Sequence, residues 1–269
     1  DVNSTIACTL TASKLHIKTV HVEAGLRSFD RKMPEEINRL LTDAISDYLF
    51  VTERSGLENL ANEGVPDSRV FFVGNCMIDS LINYLPKTDK SDVLNKYGLQ
   101  SGKYVLVTLH RPSNVDNEQQ LKKLFVMLNK ISEDRKIVFP IHPRTNKNIQ
   151  LFGIEKEISN NIILTEPIGY IDFLALIKNA ELLLTDSGGI QEETTYLGVQ
   201  CITLRTSTER PVTVTTGTNQ LLGDDLDAAC NAALDVLNGK KKHGTIPELW
   251  DGKAAERIVD TLVKEFYKV

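Results

Sequence analysis

Acidic residues early in the chain have the types and spacing that proton transfer requires. The sequence HVEAGLR places His21 and Glu23 two residues apart, on one face of a predicted β-strand. The sequence PEEINR places Glu35 and Arg39 four residues apart, on one face of a predicted helix. A surface ion pair would also account for Glu35 and Arg39. Because this helix begins close in sequence to Glu23, we favour a role for both residues in a catalytic site.

A second group of residues is typical of an anion site. An apolar run ends at Asp186, and a predicted helix then begins with Ser187, Gly188 and Gly189. Free backbone N–H groups and the positive dipole end of such a helix favour a phosphate, and glycine allows close approach of the backbone. Glu193 lies about one helical turn further on, where we expect it to accept hydrogen bonds from sugar or ribose hydroxyls. The alternative is a strand–helix turn in which glycine serves only the tight geometry.

Polar residues also follow other predicted strands. Glu23, His110 and His142 each come directly after a predicted strand, as Asp186 does. Ligands of open α/β sheets bind beyond the carboxyl ends of the strands. One such residue alone would be a cap, a turn former or a core histidine, whereas four together favour an active cleft.

Several chemistries lack their sequence signatures. The four cysteines contain no C-x-x-C pair, and no H-x-x-x-H spacing occurs, so we predict no metal site. The sequence has no G-x-S-x-G nucleophile elbow and no early G-x-G-x-x-G dinucleotide fingerprint. These patterns argue against a serine hydrolase and against a dehydrogenase.

Alternating apolar and amphipathic segments predict an α/β fold with doubly wound parallel sheets. A first series predicts strands at 17–22, 48–52 and 69–73, with helices at 4–15, 34–46 and 55–63. A polar stretch at 86–92 predicts a linker. The second series predicts strands at 104–109, 136–141, 162–165, 182–185 and 200–204, with helices at 117–132, 145–152, 171–178, 190–197, 226–237 and 253–267. We therefore predict an incomplete first domain over 1–86, a second domain over 87–252, and a C-terminal segment over 253–269 whose helix packs on the first domain.

Composition narrows the possible partners. The chain has 269 residues, a net charge of -5, and no dense basic run apart from KKKH at 240–243, so nucleic acid is not an expected partner. The scattered cysteines are typical of a reduced, cytoplasmic protein. No apolar run approaches the roughly 18 residues of a membrane span, and no signal peptide is recognisable.

Six motifs occur in an order that is similar to one enzyme family. They are DVNST at 1–5, HVEAGLRS at 21–28, PEEINR at 34–39, TLHR at 108–111, DSGGIQEE at 186–193 and TERP at 208–211. Together they resemble the non-hydrolysing UDP-N-acetylglucosamine 2-epimerases along the whole chain. The resemblance implies two Rossmann-like domains of the glycosyltransferase-B type facing across a cleft, with roughly the first third of a family member absent. It also implies a homodimer for the full-length protein.

The resemblance implies a reaction at C2 of UDP-GlcNAc that gives UDP-ManNAc through elimination and re-addition of UDP. Asp1, Glu23 and Glu35 match the family's catalytic carboxylates, whose mutual repulsion would separate their pKa values. Which of them takes the proton stays open. Arg39 and His110 would neutralise charge on the leaving diphosphate. No nicotinamide, metal or other cofactor is implied.

The resemblance also assigns positions that bind the UDP-sugar: Asp1, Glu23, His110, His142, Ile168, Phe173, Ser187, Gly188, Gly189, Glu193 and Arg210. Among them, Phe173 would lie beside the uracil, although a core aromatic on an amphipathic helix is an equal alternative. The backbone near Ile168 would contact the base edge, and Arg210 would pair with phosphate. The alternative functions are epimerisation of a modified UDP-sugar such as a diacetamido-uronic acid, a glycosyltransferase, and a UDP-binding fragment that needs the absent segment for activity.

Overall fold

The computed structural model describes residues 1–267 as an α/β fold with two parallel sheets. The strands are β1 Val20–Ala24, β2 Tyr48–Val51, β3 Val70–Phe72, β4 Tyr104–Thr108, β5 Lys136–Pro140, β6 Ile162–Thr165, β7 Leu182–Thr185, β8 Gln200–Thr203 and β9 Asn219–Leu221. The helices are α1 Asn3–Lys14, α2 Pro34–Ile45, α3 Arg54–Asn62, α4 Cys76–Tyr84, α5 Val93–Lys96, α6 Pro112–Val115, α7 Glu118–Ser132, α8 Pro143–Leu151, α9 Tyr170–Asn179, α10 Gly188–Leu197, α11 Pro211–Thr215, α12 Leu226–Leu237 and α13 Ala254–Tyr267. The predicted fold class is confirmed.

The chain divides into two compact units. The first contains Asp1–Asn83, Ser207–Thr215 and the chain from Pro247 on, and the second contains Tyr84–Thr206 and Thr216–Ile246. The sequence predicts a single boundary after residue 86. In the structure, the segments 207–215 and 247–252 also belong to the first unit. Residues 268 and 269 of the predicted C-terminal segment 253–269 lie outside the described residues.

In the first unit, the strands lie in the order β1-β2-β3, and both neighbouring pairs are parallel. Leu49 and Val51 of β2 pack with Leu60 of α3 on one face of this sheet. On the other face, Phe50 packs with Ile258 of α13. Because apolar side chains line both faces of β2, the strand is buried as a parallel strand requires.

The buried indole of Trp250 explains why the segment 247–252 belongs to the first unit. Trp250 is 2% exposed, and its Nε1 donates a hydrogen bond to the carbonyl oxygen of Thr52 at 3.2 Å. The carboxylate of Asp79 accepts from the backbone N–H groups of Ala254 and Ala255, at 3.1 and 2.7 Å. These contacts attach the start of α13 to the first unit, on which the sequence analysis expects this helix to pack.

The six-stranded sheet of the second unit has the order β6-β5-β4-β7-β8-β9. All of its neighbouring strands are parallel. The strand order reverses between β4 and β7, and ligands of open α/β sheets bind at such a switch point. Leu106 and Leu184 are fully buried on these two strands, with separate apolar clusters on the two faces of the sheet.

Some elements differ from the sequence-based prediction. The strand predicted at 17–22 begins only at Val20, because α1 ends at Lys14 and the chain then passes through a left-handed His16 with φ of 56°. The stretch predicted as a linker at 86–92 contains the 3-10 helix Leu85–Lys90. Helix α4 and strand β9 were not predicted. Strand β9 is short and largely polar, so no apolar run marks it in the sequence. No helix within residues 1–267 combines the length and apolar character needed to cross a bilayer.

Candidate functional site

The carboxylate of Asp186 organises the switch point of the second unit. Asp186 directly follows β7 and is fully buried. It accepts hydrogen bonds from the backbone N–H groups of His110 and Arg111, at 3.0 and 2.8 Å, and from Nδ2 of Asn114 at 3.0 Å. The Nδ1 atom of His110 lies 3.0 Å from Oδ1 of Asp186. One buried charge therefore fixes both the loop after β4 and the imidazole on it.

The contact between His110 and Asp186 shifts both pKa values. The hydrogen bond to Asp186 raises the pKa of His110, while partial burial and the charge of Arg111 oppose this. Burial opposes ionisation of Asp186, but the hydrogen bonds from His110, Asn114 and the backbone outweigh it and lower its pKa. The His110 side chain is 50% exposed. An accessible imidazole that keeps its proton suits the neutralisation of an anionic leaving group.

The N-terminus of α10 directly follows Asp186 and has room for an anion. Ser187 is the N-cap residue, and its side chain makes no capping hydrogen bond within the described chain. The first turn of α10 contains no acidic residue. A Cβ atom added at Gly189 would meet nothing within 4 Å. The predicted positions Ser187, Gly188 and Gly189 therefore begin a helix whose first turn is open and electropositive.

Glu193 lies one turn further along α10 and is 3% exposed. Its Oε1 accepts a hydrogen bond from the hydroxyl of Tyr170 at 3.0 Å. Burial raises the pKa of Glu193, although this hydrogen bond opposes the shift. The ring of Tyr170 also meets that of Tyr84 edge-on at 5.5 Å. Tyr170 was not among the predicted site residues, and only its position at the start of α9 could have indicated it.

The other predicted positions of the second unit have local structural contacts. His142 is the exposed N-cap residue of α8, and its Nδ1 accepts a hydrogen bond from the backbone N–H of Arg144 at 3.2 Å. Ile168 and Phe173 are half-buried and pack against the apolar cluster beside α9. These contacts are compatible with the alternative interpretation of Phe173 as a core aromatic.

In the first unit, Arg39 joins two carboxylates. Its Nη1 lies 2.7 Å from Oδ2 of Asp1, and its Nη2 lies 2.6 Å from Oε2 of Glu36. The Arg39 side chain is 3% exposed, whereas that of Asp1 is 39% exposed. The backbone carbonyl of Asp1 also accepts from Nδ2 of Asn38 at 2.8 Å. Arg39 thus holds the more accessible carboxylate of Asp1 at the surface of the unit.

Glu36, the neighbour of the predicted residue Glu35, is the helical partner of Arg39. Glu36 is 1% exposed and also accepts from the backbone N–H groups of Ser28 and Phe29, both at 2.9 Å. Burial opposes its ionisation, but these hydrogen bonds and Arg39 outweigh it and lower the pKa of Glu36. The alternative interpretation of Glu35 and Arg39 as a surface ion pair does not hold, because Arg39 is buried and pairs with Glu36 and Asp1. Glu35 itself is half-buried at the first turn of α2.

Glu23 lies at an irregularity of β1. Val22 pairs with Phe50 and Ala24 pairs with Val51, so Glu23 is an extra residue between two regular pairs. Its φ is 67°, in the left-handed region that a non-glycine residue rarely adopts. This bulge interrupts the alternation that predicted His21 and Glu23 on one face. Bulges near active sites redirect side chains in this way.

Asp43 fixes the chain around this bulge, and sequence reasoning missed it. Its carboxylate lies 2.6 Å from Nδ1 of His21 and 2.7 Å from Nη2 of Arg27, and it accepts from the backbone N–H of Gly25 at 3.0 Å. Burial opposes its ionisation, but His21 and Arg27 lower the pKa of Asp43. His21 is buried in this network at 6% exposure. The hydrogen bonds hold the segments before and after Glu23.

Arg210 belongs to the first unit, although its predicted role concerned phosphate. Its Nη2 lies 3.6 Å from Oε1 of Glu23, and its Nη1 lies 2.5 Å from Oε1 of Glu209. The structure thus brings together Asp1 with Arg39 and Glu23 with Arg210. Within residues 1–267, no group of three or more His, Cys, Asp or Glu side chains has an arrangement that could hold a metal ion.

The parallel sheets, the switch point and the open helix N-terminus define an α/β protein of the nucleotide-binding type. A family model described as UDP-N-acetylglucosamine 2-epimerase matches residues 1–263. The chain belongs to this enzyme family, as its motifs predicted.

Known members of the family align with nearly the whole chain. A UDP-N-acetylglucosamine 2-epimerase of Methanococcus maripaludis is 44% identical over 272 residues, which cover 98% of this chain and 74% of that protein. The crystal structure of Methanocaldococcus jannaschii UDP-GlcNAc 2-epimerase in complex with UDP-GlcNAc and UDP has a TM-score of 0.87 and 46% identity, covering 98% of this chain and 74% of that one. A UDP-2,3-diacetamido-2,3-dideoxy-D-glucuronate 2-epimerase of Pseudomonas aeruginosa is 39% identical over 267 residues, covering 98% of this chain and 73% of that protein.

Proposed function

We propose that this chain epimerises UDP-N-acetylglucosamine at C2 to UDP-N-acetylmannosamine. The observation that carries the proposal is the contact between the imidazole of His110 and the buried carboxylate of Asp186. Asp186 directly precedes the open N-terminus of α10. This arrangement suits a diphosphate that must be bound and must also leave. The similarity to the M. jannaschii enzyme, whose crystal structure contains UDP-GlcNAc and UDP, supports the same substrate.

In this proposal, the second unit binds the nucleotide. The first-turn N–H groups of α10, at Gly188 and Gly189, bind the diphosphate, with Ser187 beside them. The buried carboxylate of Glu193, oriented by Tyr170, accepts hydrogen bonds from the ribose hydroxyls. The predicted contacts of His142, Ile168 and Phe173 with the nucleotide remain part of the proposal, and binding to variants at these positions would test them.

The carboxylates of the first unit carry the proton chemistry. A base removes the proton from C2 while the anomeric C–O bond breaks, and UDP leaves with the electron pair of that bond. A 2-acetamidoglucal remains, to which UDP adds again as C2 receives a proton on the opposite face. Asp1, Glu23 and Glu35 are the candidate proton carriers, and Arg39 and His110 stabilise the developing negative charge.

Exchange of the C2 proton in heavy water tests the proposed reaction directly. UDP-GlcNAc is incubated with the 269-residue chain, and separately with a form extended at its N-terminus to the length of the relatives. We expect deuterium at C2 together with UDP-ManNAc. If neither form exchanges the proton while both bind UDP, the epimerase proposal fails and a UDP-binding or transferase function replaces it.

A modified UDP-sugar is the second candidate substrate, because the P. aeruginosa relative at 39% identity is named for a diacetamido-glucuronate. The same exchange assay with UDP-2,3-diacetamido-2,3-dideoxy-D-glucuronic acid separates the two substrates. We expect a higher kcat/KM for UDP-GlcNAc. The reverse order would assign this chain to the second substrate.

We also propose a homodimer for the protein at the length of its relatives, as the family resemblance implies. Light scattering of the extended form gives its mass in solution. A mass of one chain at micromolar concentration would contradict this proposal.

A further inference from the structure

Two buried carboxyl groups in the first unit have no role in the reaction described so far. Glu53, the N-cap residue of α3, is 2% exposed, and Glu209 is 5% exposed. The hydroxyl of Ser55 donates to Oε1 of Glu53 at 2.5 Å, and the backbone N–H of Val212 also donates to this carboxyl group. Oε2 of Glu53 is buried with no hydrogen-bond partner among the described residues. A buried carboxylate oxygen without a donor disfavours the charged form.

Arg210 connects this pair to the candidate active site. Its guanidinium lies 2.5 Å from Glu209 on one side and 3.6 Å from Glu23 on the other. The hydrogen bond from the backbone N–H of Val212 to Glu53 brings a third carboxyl group to the segment that carries Arg210, whose side chain is only 12% exposed. Ionisation of Glu53 would add a further buried negative charge, with one carboxylate oxygen that accepts no hydrogen bond among the described residues. Protonation of Glu53 avoids this cost.

We propose that Glu209 and a protonated Glu53 are positioning residues, which hold the Arg210 guanidinium beside the Glu23 carboxylate during the C2 reaction. This inference rests on the proposed epimerase function. Glu209 supplies the ion pair that fixes one edge of the guanidinium. Glu53, held beside the same segment by the N–H of Val212, stays neutral and therefore does not compete with Glu23 for the guanidinium.

The protonation of Glu53 makes this arrangement depend on pH. Burial raises the pKa of Glu53 to about 7; the hydrogen bonds from Ser55 and Val212 and the charge of Arg210 oppose this shift, whereas the charge of Glu209 adds to it. Above this pH, Glu53 becomes an additional anion near Arg210, beside Glu209 and Glu23, and competes with Glu23 for it. We therefore expect kcat to fall as the pH rises through about 7.

Profiles of kcat and KM against pH test the inference in the form of the protein that exchanges the C2 proton. Glu53→Ala should lower kcat about tenfold with little change in KM, and Glu53→Gln should restore most of it and keep it high above about pH 7. Glu58→Gln is the matched control, because Glu58 is an exposed carboxylate on the same helix and its removal should leave the profile unaltered. An alkaline decline that is identical in wild type and Glu53→Gln would overturn the inference.

A double-mutant cycle shows whether Glu53 acts through Arg210. In an Arg210→Gln background, Glu53→Ala should cause no further loss of kcat, because the group that it positions is gone. Additive losses would overturn the inference. If the variants do not fold, difference infrared spectroscopy of wild type decides. A buried protonated carboxyl band that disappears as the pH passes about 7 supports the inference, and its absence overturns it.

The experiments distinguish a failure of the proposed function from a failure of this inference. A wild-type enzyme that exchanges no C2 proton overturns both. An active wild type whose Glu53→Gln variant keeps the alkaline decline overturns only the role of Glu53.

Discussion

His110 and Asp186 form a coupled pair in which Nδ1 of the imidazole lies 3.0 Å from Oδ1 of a fully buried carboxylate. The same carboxylate also accepts from the backbone N–H of His110. The side chain and the main chain of one residue are therefore fixed by one charge. Because Asp186 lies between the end of β7 and the N-cap residue Ser187, the position of the imidazole is tied directly to the start of α10.

Asp186→Asn should lower the pKa of His110, since the hydrogen bond to the carboxylate is the largest cause of its upward shift. Near neutral pH a smaller fraction of His110 would carry a proton, and we expect kcat to fall about a hundredfold. Titration of the His110 ring by NMR measures the pKa, with His243 in the same spectra as an internal control. An unchanged His110 titration in the variant would contradict the coupling.

Gly189→Ala should weaken UDP binding without harming the fold. The added Cβ meets nothing of the described protein within 4 Å, and alanine is favoured over glycine in a helix. The methyl group would instead obstruct the approach of the diphosphate, and we expect a loss of affinity of about tenfold. Calorimetry with UDP measures this loss, and uridine, which lacks the diphosphate, is the control. Equal losses for both ligands would place the phosphates elsewhere.

Glu36→Gln should destabilise the first unit by about 3 kcal/mol, because it leaves buried Arg39 with one ionic partner fewer. The folded-state pKa of Glu36 is lowered, so its stabilisation is present above the unfolded value of 4.5 and is lost as the pH falls through the folded value. Denaturant unfolding across the acid range should show a shallower loss of stability in Glu36→Gln than in wild type.

Glu35→Gln is the matched comparison for Glu36→Gln. Glu35 is half-buried, and Arg39 forms its helical ion pair with Glu36 instead. We expect Glu35→Gln to change stability by less than about 0.5 kcal/mol and to reduce C2 proton exchange strongly. If it lowers stability as much as Glu36→Gln does, and exchange remains normal, Glu35 is a structural residue and not a catalytic one.

Glu53→Gln should stabilise the protein at alkaline pH. The folded pKa of about 7 lies above the ordinary 4.5, so the unfolded chain loses this proton first and wild-type stability declines as the pH rises from 4.5 to 7. A shift of this size corresponds to roughly 3 kcal/mol. Tm measured at about pH 8 should therefore be higher for Glu53→Gln, whereas the exposed Glu58→Gln should not alter it. A lower Tm for Glu53→Gln would contradict the neutral state of Glu53.

The sequence predicts best those elements that a local pattern of residues identifies. The strands Ile162–Thr165 and Leu182–Thr185 and the helix Leu226–Leu237 occur as expected, because apolar runs and helical periodicity identify buried elements. The beginning of α10 follows equally from its glycines. Such signals need no knowledge of distant partners.

The site depends on contacts that local patterns do not contain. Glu35 and Glu36 are adjacent acidic residues, and only the backbone N–H groups of Ser28 and Phe29 determine which one is buried with Arg39. The bulge at Glu23 comes from pairing with β2 and not from a signal in β1 itself. Arg210 is distant in sequence from Glu23, and packing of the segment 207–215 in the first unit brings them together.

At Glu23, whose backbone is left-handed, stability and activity favour different residues. Holding a glutamate at φ of 67° costs about 1–2 kcal/mol, which the Asp43 network must offset. Glycine would adopt this conformation without strain but would remove the carboxylate. A selection for thermal tolerance alone should therefore enrich Glu23→Gly, whereas a selection for turnover should eliminate it. At this position the protein keeps a less stable backbone because the carboxylate serves the reaction.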